Sequence, residues 1–347
     1  MSEMETKYWN VQDEKIDVNN SKIIAAAEAI RRQETVAFPT ETVYGLGADA
    51  TSHSAVDKIF QAKGRPGDNP LIVHIAKIEQ VEQVVEDIPD MALKLMEAFW
   101  PGPLTLILNS NGASADNVTA GLSTVGVRIP DHPVAQAMLT ASQVPVAAPS
   151  ANRSGRPSPT TAQHVYDDLA GRVYGIVDCG PTGVGVESTV VDCTGEQAVI
   201  LRPGGVTKEE LEQVVETVST DSAVENKEEQ PKSPGMKYTH YAPNAPFWLV
   251  EGSADAMQQE INRLNQDGLN VGVMASEENA AHYQHAIVKS CGSRENLREV
   301  AQQIYDVLRT FNRENVDVIL GETFTKKGLG VAVMNRLEKA SSKIIKI

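Results

Sequence analysis

The chain has 347 residues, of which 41% are hydrophobic and 22% charged, and its formal net charge is −15. These proportions are typical of a globular protein and exclude a mainly disordered chain or a coiled coil, while the length favours two domains. The acidic balance disfavours a protein that coats nucleic acid, because non-specific binding depends on surface cations that neutralise phosphates.

The sequence also indicates where the protein acts. No apolar run reaches the roughly 18 residues that a membrane helix needs. The polar residues 1–17 resemble neither a signal peptide nor a transit peptide. Three cysteines, Cys179, Cys193 and Cys291, are far apart and lack the spacing of a metal site. We therefore expect a cytoplasmic protein with no disulfide, no membrane segment and no metal held by the protein alone.

The first predicted elements lead into a loop rich in hydroxyl groups. Apolar spacing predicts a helix over residues 18–33, followed by a short strand over 35–38. The next segment is Pro39–Gly47, and in open α/β folds a loop at the carboxyl end of a strand is where ligands bind. Residues 45–50 superficially fit the glycine pattern of a dinucleotide site, but no helix is predicted directly after them, so we exclude an NAD site.

A short basic connection, Lys63–Pro70, lies between a predicted helix over 54–62 and a predicted buried strand over 71–75. Lys63 offers a point charge and Arg65 a planar fork, and together they suit a polyanion such as the phosphate chain of a nucleotide. The alternative is a solvated basic turn, because isolated motifs carry a high risk of false matches.

An arginine interrupts a strand of valine and isoleucine. After a predicted helix over 92–100, in which we expect Trp100 to pack in the core, strands are predicted over 104–108 and 125–130. The second of them contains Arg128, and a buried arginine costs free energy unless it is paired or faces a cleft. A position at the edge of the sheet is the alternative, and the sequence leaves both open.

A third polar loop follows the strand predicted over 144–148. It spans Pro149–Thr160 and combines hydroxyl groups, one amide and two arginines with turn-forming residues. Backbone N–H groups in such turns make anion-binding concavities. Thr160 is the predicted N-cap of the helix over 162–170.

Two glycine-rich stretches come next. One, residues 180–185, precedes a strand predicted over 190–193, and the other follows a strand over 199–201 that ends at Arg202. Neither has the glycine and lysine spacing of a P-loop, so we exclude that class of nucleotide site.

The remaining sequence predicts the domain organisation. We expect a first domain over 1–215, a linker over 216–246 and a second domain over 247–347, in which strands and helices alternate as in a small parallel, Rossmann-like sheet. Within the linker, Ser233–Pro243 contains two tyrosines, a lysine and a histidine, which a simple tether does not need. We expect this segment to dock on the cleft of the first domain.

Several motifs, taken together, resemble a known family. PTETVYGLG at 39–47, KGRPGDNPLIVH at 63–74, APSAN at 148–152 and SPGMKYTHYAP at 233–243 occur in this order. With them, almost the whole chain resembles the YrdC-like family, and within it the long, two-domain L-threonylcarbamoyladenylate synthases. The resemblance implies a twisted mixed sheet with a concave basic face, followed by the Rossmann-like domain.

The resemblance also implies an activity, a nucleotidyltransferase reaction that condenses L-threonine, bicarbonate and ATP, with Mg²⁺, to L-threonylcarbamoyladenylate and pyrophosphate. Separate transfer proteins would use the product to modify an adenosine of the tRNA anticodon loop, and weak RNA binding is a further expectation. Lys63, Arg65 and Asn152 would act in catalysis. ATP would be bound by Arg65, Asn69, Thr124, Ser150, Ser158, Arg202 and Tyr241. L-Threonine would be bound by Thr42, His74, Arg128, Ala148 and Ser188.

Two alternatives remain at this stage. A module that binds tRNA or double-stranded RNA would use the same basic loops as phosphate contacts, although the net charge disfavours it. A related carbamoyl-transfer enzyme would share the first domain, but such chains usually carry zinc fingers, and this sequence has no Cys-x-x-Cys pair.

Tyr241 and its linker would, in the synthase, close over the nucleotide and exclude water.

Overall fold

A computed structural model describes residues 5–221 and 240–347 of the chain. Contacts divide the chain into two compact units, one of Met1–Ser154 with Pro159–Lys237 and the other of Gly155–Ser158 with Tyr238–Ile347. The predicted Ser233–Pro243 segment therefore lies largely outside the described residues, apart from its last four positions.

The first unit contains a mixed sheet, with eleven strands in the part of the chain that is described. The order across the sheet is β1-β8-β2-β3-β7-β4-β6-β5-β9-β10-β11. The strands are β1 Lys7–Asn10, β2 Val36–Phe38, β3 Gly45–Asp49, β4 Ile72–His74, β5 Leu104–Asn109, β6 Thr124–Arg128, β7 Val146–Ala147, β8 Gly175–Asp178, β9 Thr189–Asp192, β10 Ala198–Arg202 and β11 Val218–Thr220.

The helices of the first unit begin at residues that cap them. Asn20 caps α1 by accepting from the backbone N–H groups of Lys22 and Ile23. The predicted cap of α6 is wrong by one residue, because the Thr161 hydroxyl, not that of Thr160, accepts from the N–H of His164. The helices are α1 Ser21–Arg31, α2 His53–Lys63, α3 Asp90–Phe99, α4 Asp116–Thr119, α5 Pro133–Ser142, α6 Ala162–Leu169 and α7 Lys208–Leu211.

The sheet separates two hydrophobic clusters because side chains alternate along each strand. In β2, Val36 and Phe38 join the cluster that includes α1 and α5, whereas Ala37 joins the cluster that includes α2 and α3. In β6, Val125 and Val127 also join the second cluster. The alternate residues of β6, including Arg128, therefore face the other side of the sheet.

One strand lies where the sequence predicted a loop. Gly45–Asp49 forms β3, which pairs antiparallel with β2 and β7. Glycine is unusual in strands, but here it is required, since a Cβ on Gly47 would lie 2.8 Å from atoms of both Phe38 and Val146. Neighbouring strands pack closely here, which explains why the segment contains glycine. Glycine lowers the strand propensity of the segment, so the sequence did not predict this strand.

The second unit contains a five-stranded sheet with the order β14-β13-β15-β12-β16. Its pairings are all parallel in the described residues, which confirms the predicted Rossmann-like arrangement. The elements are β12 Phe247–Glu251, α8 Ala254–Gln266, β13 Val271–Ala275, α9 Glu277–Ala280, β14 Ile287–Ser290, α10 Leu297–Thr310, β15 Val318–Glu322, α11 Gly330–Ala340 and β16 Lys343–Lys346. Among the helices described in either unit, none is long and apolar enough to cross a membrane.

Candidate active site

Arg128 is the centre of a buried polar cluster in the first unit. It ends β6, a strand paired on both sides, and the residue is 3% exposed, so the sheet-edge alternative is wrong. Its Nε donates to the Gly102 carbonyl oxygen at 3.1 Å and its Nη1 to the Thr42 hydroxyl at 3.0 Å. Its Nη2 lies 2.5 Å from Oε1 of Glu41. The cluster is thus built from the Pro39–Gly47 segment and the end of β6.

His74 lies beside Arg128 because the two residues are register partners at the ends of parallel β4 and β6. Burial, with the Arg128 charge adding to it, lowers the pKa of His74 to about 3. The imidazole is therefore neutral at physiological pH, and its Nδ1 lies 3.2 Å from the Ile72 carbonyl oxygen. A neutral ring leaves Arg128 as the cationic member of this pair.

Ser188 and Arg202 form a second buried group. The Arg202 side chain donates from Nη2 to the carbonyl oxygen of Ser188 at 2.9 Å and to its hydroxyl at 3.2 Å. The Ser188 hydroxyl also lies 2.8 Å from that of Thr105, in the adjacent strand β5. A residue predicted to bind threonine and one predicted to bind ATP are thus in direct contact.

This contact depends on the backbone at Gly204. A Cβ at that position would lie 2.3 Å from the carbonyl carbon of Ser188 and from the nitrogen of Thr189. Glycine is therefore required where the chain after β10 passes over the residue that precedes β9.

Lys63 ends α2 and is 3% exposed. Its Nζ donates to the carbonyl oxygens of Ser150 and Asn152 at 2.5 and 2.7 Å, and to Oδ1 of Asn152 at 3.3 Å. The Ser150 hydroxyl donates to the same Oδ1 at 2.6 Å. The two motifs that the sequence singled out, around Lys63 and Ser150, are therefore joined, with Lys63 holding the loop.

The other predicted nucleotide residues of the first unit lie on nearby elements. Arg65 is half-buried and donates from Nη2 to the carbonyl oxygen of Asn69, a fully buried residue. Ala148, which is predicted to bind threonine, donates its backbone N–H to the Ile72 carbonyl oxygen at 2.9 Å. Thr124 begins β6 and borders a small, largely apolar pocket. The pocket is lined by Pro70, Leu71, Ile72, Ile107, Leu122, Thr124 and Gly126.

Ser158 and Tyr241 belong to the second unit. Ser158 is fully buried, and Tyr241 is 5% exposed with a φ of +68°, an unusual backbone conformation for tyrosine. The Tyr241 ring stacks on Tyr305 with centroids 5.2 Å apart, and the Arg336 guanidinium lies 5.8 Å from the Tyr241 centroid. Tyr241 is thus held in a defined aromatic and cationic setting, and its role with ATP stays a prediction.

The sequence did not single out Glu41, Thr105 or Gly204. Each acts through a partner distant along the chain, so spacing within a motif cannot reveal it. The available signal for Glu41 was its position in the hydroxyl-rich Pro39–Gly47 segment. In the described residues, no group of three or more histidine, cysteine, aspartate or glutamate side chains is arranged to hold a metal ion.

Two family models match the chain. The model described as "Telomere recombination", Sua5_yciO_yrdC, matches residues 28–204. The model described as "Threonylcarbamoyl-AMP synthase, C-terminal domain" matches residues 206–342. Together they match residues of both units.

Two curated relatives and one solved structure are similar over nearly the full length. Threonylcarbamoyl-AMP synthase of Bacillus subtilis is 53% identical over 97% of this chain and 98% of its own length. Threonylcarbamoyl-AMP synthase of Pyrococcus abyssi is 48% identical over 94% and 96%. The crystal structure of P. abyssi Sua5 complexed with L-threonine superposes with a TM-score of 0.93 at 47% identity, covering 99% of this chain and all of the other.

Proposed function

The chain belongs to the threonylcarbamoyl-AMP synthase family, and on that premise we propose that it condenses L-threonine, bicarbonate and ATP to L-threonylcarbamoyladenylate and pyrophosphate. The observation that supports this most directly is the likeness, at 47% identity, to a protein complexed with L-threonine. The comparisons support this function and not the RNA-binding alternative.

The Arg128 cluster provides the proposed threonine subsite. A guanidinium is the side chain best suited to a carboxylate, because two parallel N–H groups match the two oxygens. Thr42 and Ser188 are buried hydroxyls that suit the ammonium or the side-chain hydroxyl of the substrate. His74 and Ala148 are also buried, and His74 is the register partner of Arg128.

The proposed nucleotide subsite uses the loops around Lys63 and Ser150. Arg65, Asn69 and Arg202 suit phosphates and ribose, and Thr124 is a further proposed ATP residue. Since Lys63 is engaged by the loop that follows β7, its proposed role is to hold that loop for the phosphates. Ser158 and Tyr241 belong to the second unit, and their roles with ATP stay predictions.

The chemistry needs no covalent enzyme nucleophile. The amine of threonine, once deprotonated, forms a bond to the carbon of bicarbonate with loss of water, which gives a carbamate. A carbamate oxygen then attacks the α-phosphorus of ATP, and pyrophosphate leaves. The protein must align the reactants and neutralise the charge that develops on the phosphates, which lysine and arginine side chains can do.

Mg²⁺ enters this proposal with ATP. The phosphates supply most of its ligands, so the absence of a cluster of acidic or histidine ligands among the described residues is compatible with MgATP as the substrate. The ion would add positive charge where pyrophosphate departs. The further proposals are a cytoplasmic location and delivery of the labile product to separate transfer proteins that modify tRNA, with weak RNA binding of its own.

Pyrophosphate release from MgATP tests the function, with threonine and bicarbonate each omitted in turn. We expect release only when both are present, and loss of release in Arg128→Gln but not in Lys326→Gln, which changes an exposed lysine of the second unit. Release without either substrate would identify a nucleotide hydrolase instead. No release under any condition, together with RNA affinity that falls steeply with salt, would favour the RNA-binding module.

A further inference from the structure

Glu41 is a buried carboxylate that the proposed reaction does not yet use. Its side chain is 12% exposed, and neither carboxylate oxygen has a hydrogen-bond partner among the described residues. Its charge is balanced by Arg128, with 2.5 Å between the nearest atoms. A buried carboxylate is costly unless it is paired and hydrogen-bonded, so the pairing alone leaves Glu41 with capacity for another donor.

Arg128 shows the same incomplete pairing. Its Nε and Nη1 donate to Gly102 and Thr42 in directed hydrogen bonds, but Nη2, the nitrogen closest to Glu41, makes none in the described structure. The contact between Glu41 and Arg128 is therefore a charge pair without a well-directed hydrogen bond. Glu41 and Arg128 would each be stabilised by a ligand group of opposite charge that forms a well-directed hydrogen bond with it.

We propose that Glu41 binds the α-ammonium group of the amino-acid substrate, and that the substrate inserts between Glu41 and Arg128. This inference rests on the proposed function and assigns a further binding residue to it. An amino acid is a zwitterion, so its carboxylate can replace Glu41 at Arg128 while its ammonium group satisfies Glu41. The net charge of the buried site stays the same.

The backbone that carries Glu41 is held in place. The N–H of Val184 donates to the Glu41 carbonyl oxygen at 2.7 Å, and the N–H of Gly185 donates to that of Thr42 at 3.1 Å. In the proposal the Glu41 side chain moves to admit the substrate, while these two hydrogen bonds hold the backbone. The loop itself can stay fixed.

This arrangement makes a free amine a condition for tight binding. A ligand with a carboxylate but no ammonium group, such as N-acetyl-L-threonine, would displace Glu41 from Arg128 and leave that carboxylate buried without a positive partner. The amine is also the group that receives the carboxyl carbon in the proposed reaction. Glu41 holds this nitrogen in the site as the ammonium, which then loses a proton to solvent before the amine forms its bond to the carbon of bicarbonate.

Calorimetric titration of L-threonine and N-acetyl-L-threonine tests the proposal with the wild-type protein, Glu41→Gln and Glu34→Gln. Glu34 is a matched control, because it pairs with Lys58 at the surface. We expect the wild-type protein to bind L-threonine at least about 10-fold more tightly than the acetylated ligand, the discrimination that about one charge-assisted bond provides. Glu41→Gln should reduce this ratio to about 3-fold or less, and Glu34→Gln should preserve it.

An unchanged ratio of the two affinities in Glu41→Gln, including the case in which both ligands bind equally more weakly, would overturn the role of Glu41 and leave the function intact. Failure of the wild-type protein to bind L-threonine would instead overturn the proposed function. If Glu41→Gln does not fold, Glu41→Asp serves as the second variant, since it keeps the charge but shortens the side chain. In Glu41→Asp, a preference for L-threonine over N-acetyl-L-threonine that is weaker than in the wild-type protein but still present would support the proposal. An unchanged preference would contradict it.

Discussion

The Lys63 ammonium group donates to the carbonyl oxygens of both Ser150 and Asn152, so the end of α2 fixes the loop that follows β7. The lysine and the loop are separated by 87 to 89 positions in the sequence. Because the lysine is 3% exposed, water cannot readily replace these bonds. The relationship makes Lys63 a positioning residue for the loop, whatever it also contributes to the phosphates.

Replacing Lys63 by methionine should therefore loosen the loop as well as remove a charge. We expect the free energy of unfolding to fall by about 2–4 kcal/mol, because buried acceptors lose a charged donor, and the KM for ATP to rise. Urea unfolding and steady-state kinetics measure both effects. Lys63→Arg should not restore activity, since a planar fork cannot replace a compact ammonium group among three acceptors.

Lys58→Met is the control for this prediction. Lys58 lies on the same helix and pairs with Glu34 at 2.9 Å in a partly exposed position. Such pairs contribute about 0–1 kcal/mol, so this variant should retain its stability and KM. Equal losses of stability in the two variants would show that the contacts of Lys63 with the loop contribute no more than the partly exposed ion pair of Lys58.

Gly204→Ala should disturb the contact between Arg202 and Ser188. The added methyl group would overlap the Ser188 backbone at 2.3 Å, and either the chain after β10 or the start of β9 must move. We expect a loss of about 2–4 kcal/mol in stability from overpacking and backbone displacement, with weaker ATP and threonine binding. Calorimetry and urea unfolding provide the measurements.

Gly195→Ala is a matched control for steric crowding, because a Cβ at Gly195 meets no atom within 4 Å. The substitution should change stability by less than about 1 kcal/mol, in the direction of stabilisation, since alanine restricts the unfolded chain more than glycine does. A similar loss in both variants would contradict the steric argument.

The sequence predicts the elements better than the contacts between them. Apolar periodicity located α2 and β4 to within two residues, because a helix face and a buried strand leave a local pattern. The same pattern could not decide whether Arg128 lay at an edge or a cleft, since the answer depends on β4 and β5 on either side of it. The pairing of β6 with both β4 and β5 is what shows that Arg128 does not lie at the edge of the sheet.

Glu41 shows the same limit at the level of the candidate site. A glutamate in a loop is ordinarily a solvated residue, and nothing within Pro39–Gly47 indicates that its carboxylate is buried. Its burial follows from Arg128, which lies in a separate strand far along the chain. Predicting the pair would have required knowing that the Pro39–Gly47 segment meets the end of β6.

Arg294→Met should destabilise the second unit selectively. The Arg294 side chain donates to the buried carboxylate of Glu322 at 2.7 Å, and the Tyr283 hydroxyl donates to the other oxygen at 2.6 Å. Without the arginine, Glu322 keeps a neutral donor but loses its counter-ion. We expect a loss of about 2–4 kcal/mol, seen as faster amide exchange in β13 and β15 by mass spectrometry.

The comparison variant is Arg263→Met. Arg263 pairs with Glu260 and Asp267 on one face of α8, where its side chain is 53% exposed. Exposed pairs contribute about 0–1 kcal/mol, so exchange in the sheet should stay unchanged. Comparable exchange in the two variants would show that burial of Glu322 does not determine the strength of its ion pair.

His74 should make the protein less stable in mild acid. Its pKa is about 3 in the folded protein and about 6.5 in an unfolded chain, so between these values the unfolded chain binds more protons. Stability is therefore lost as the pH falls below about 6.5, and the contribution from this residue between pH 7.5 and 5.0 is about 2 kcal/mol. Urea unfolding at the two pH values should show that His74→Asn reduces the pH dependence of stability by about this amount. An identical pH dependence in the wild-type protein and His74→Asn would show that His74 is not held neutral in the folded state.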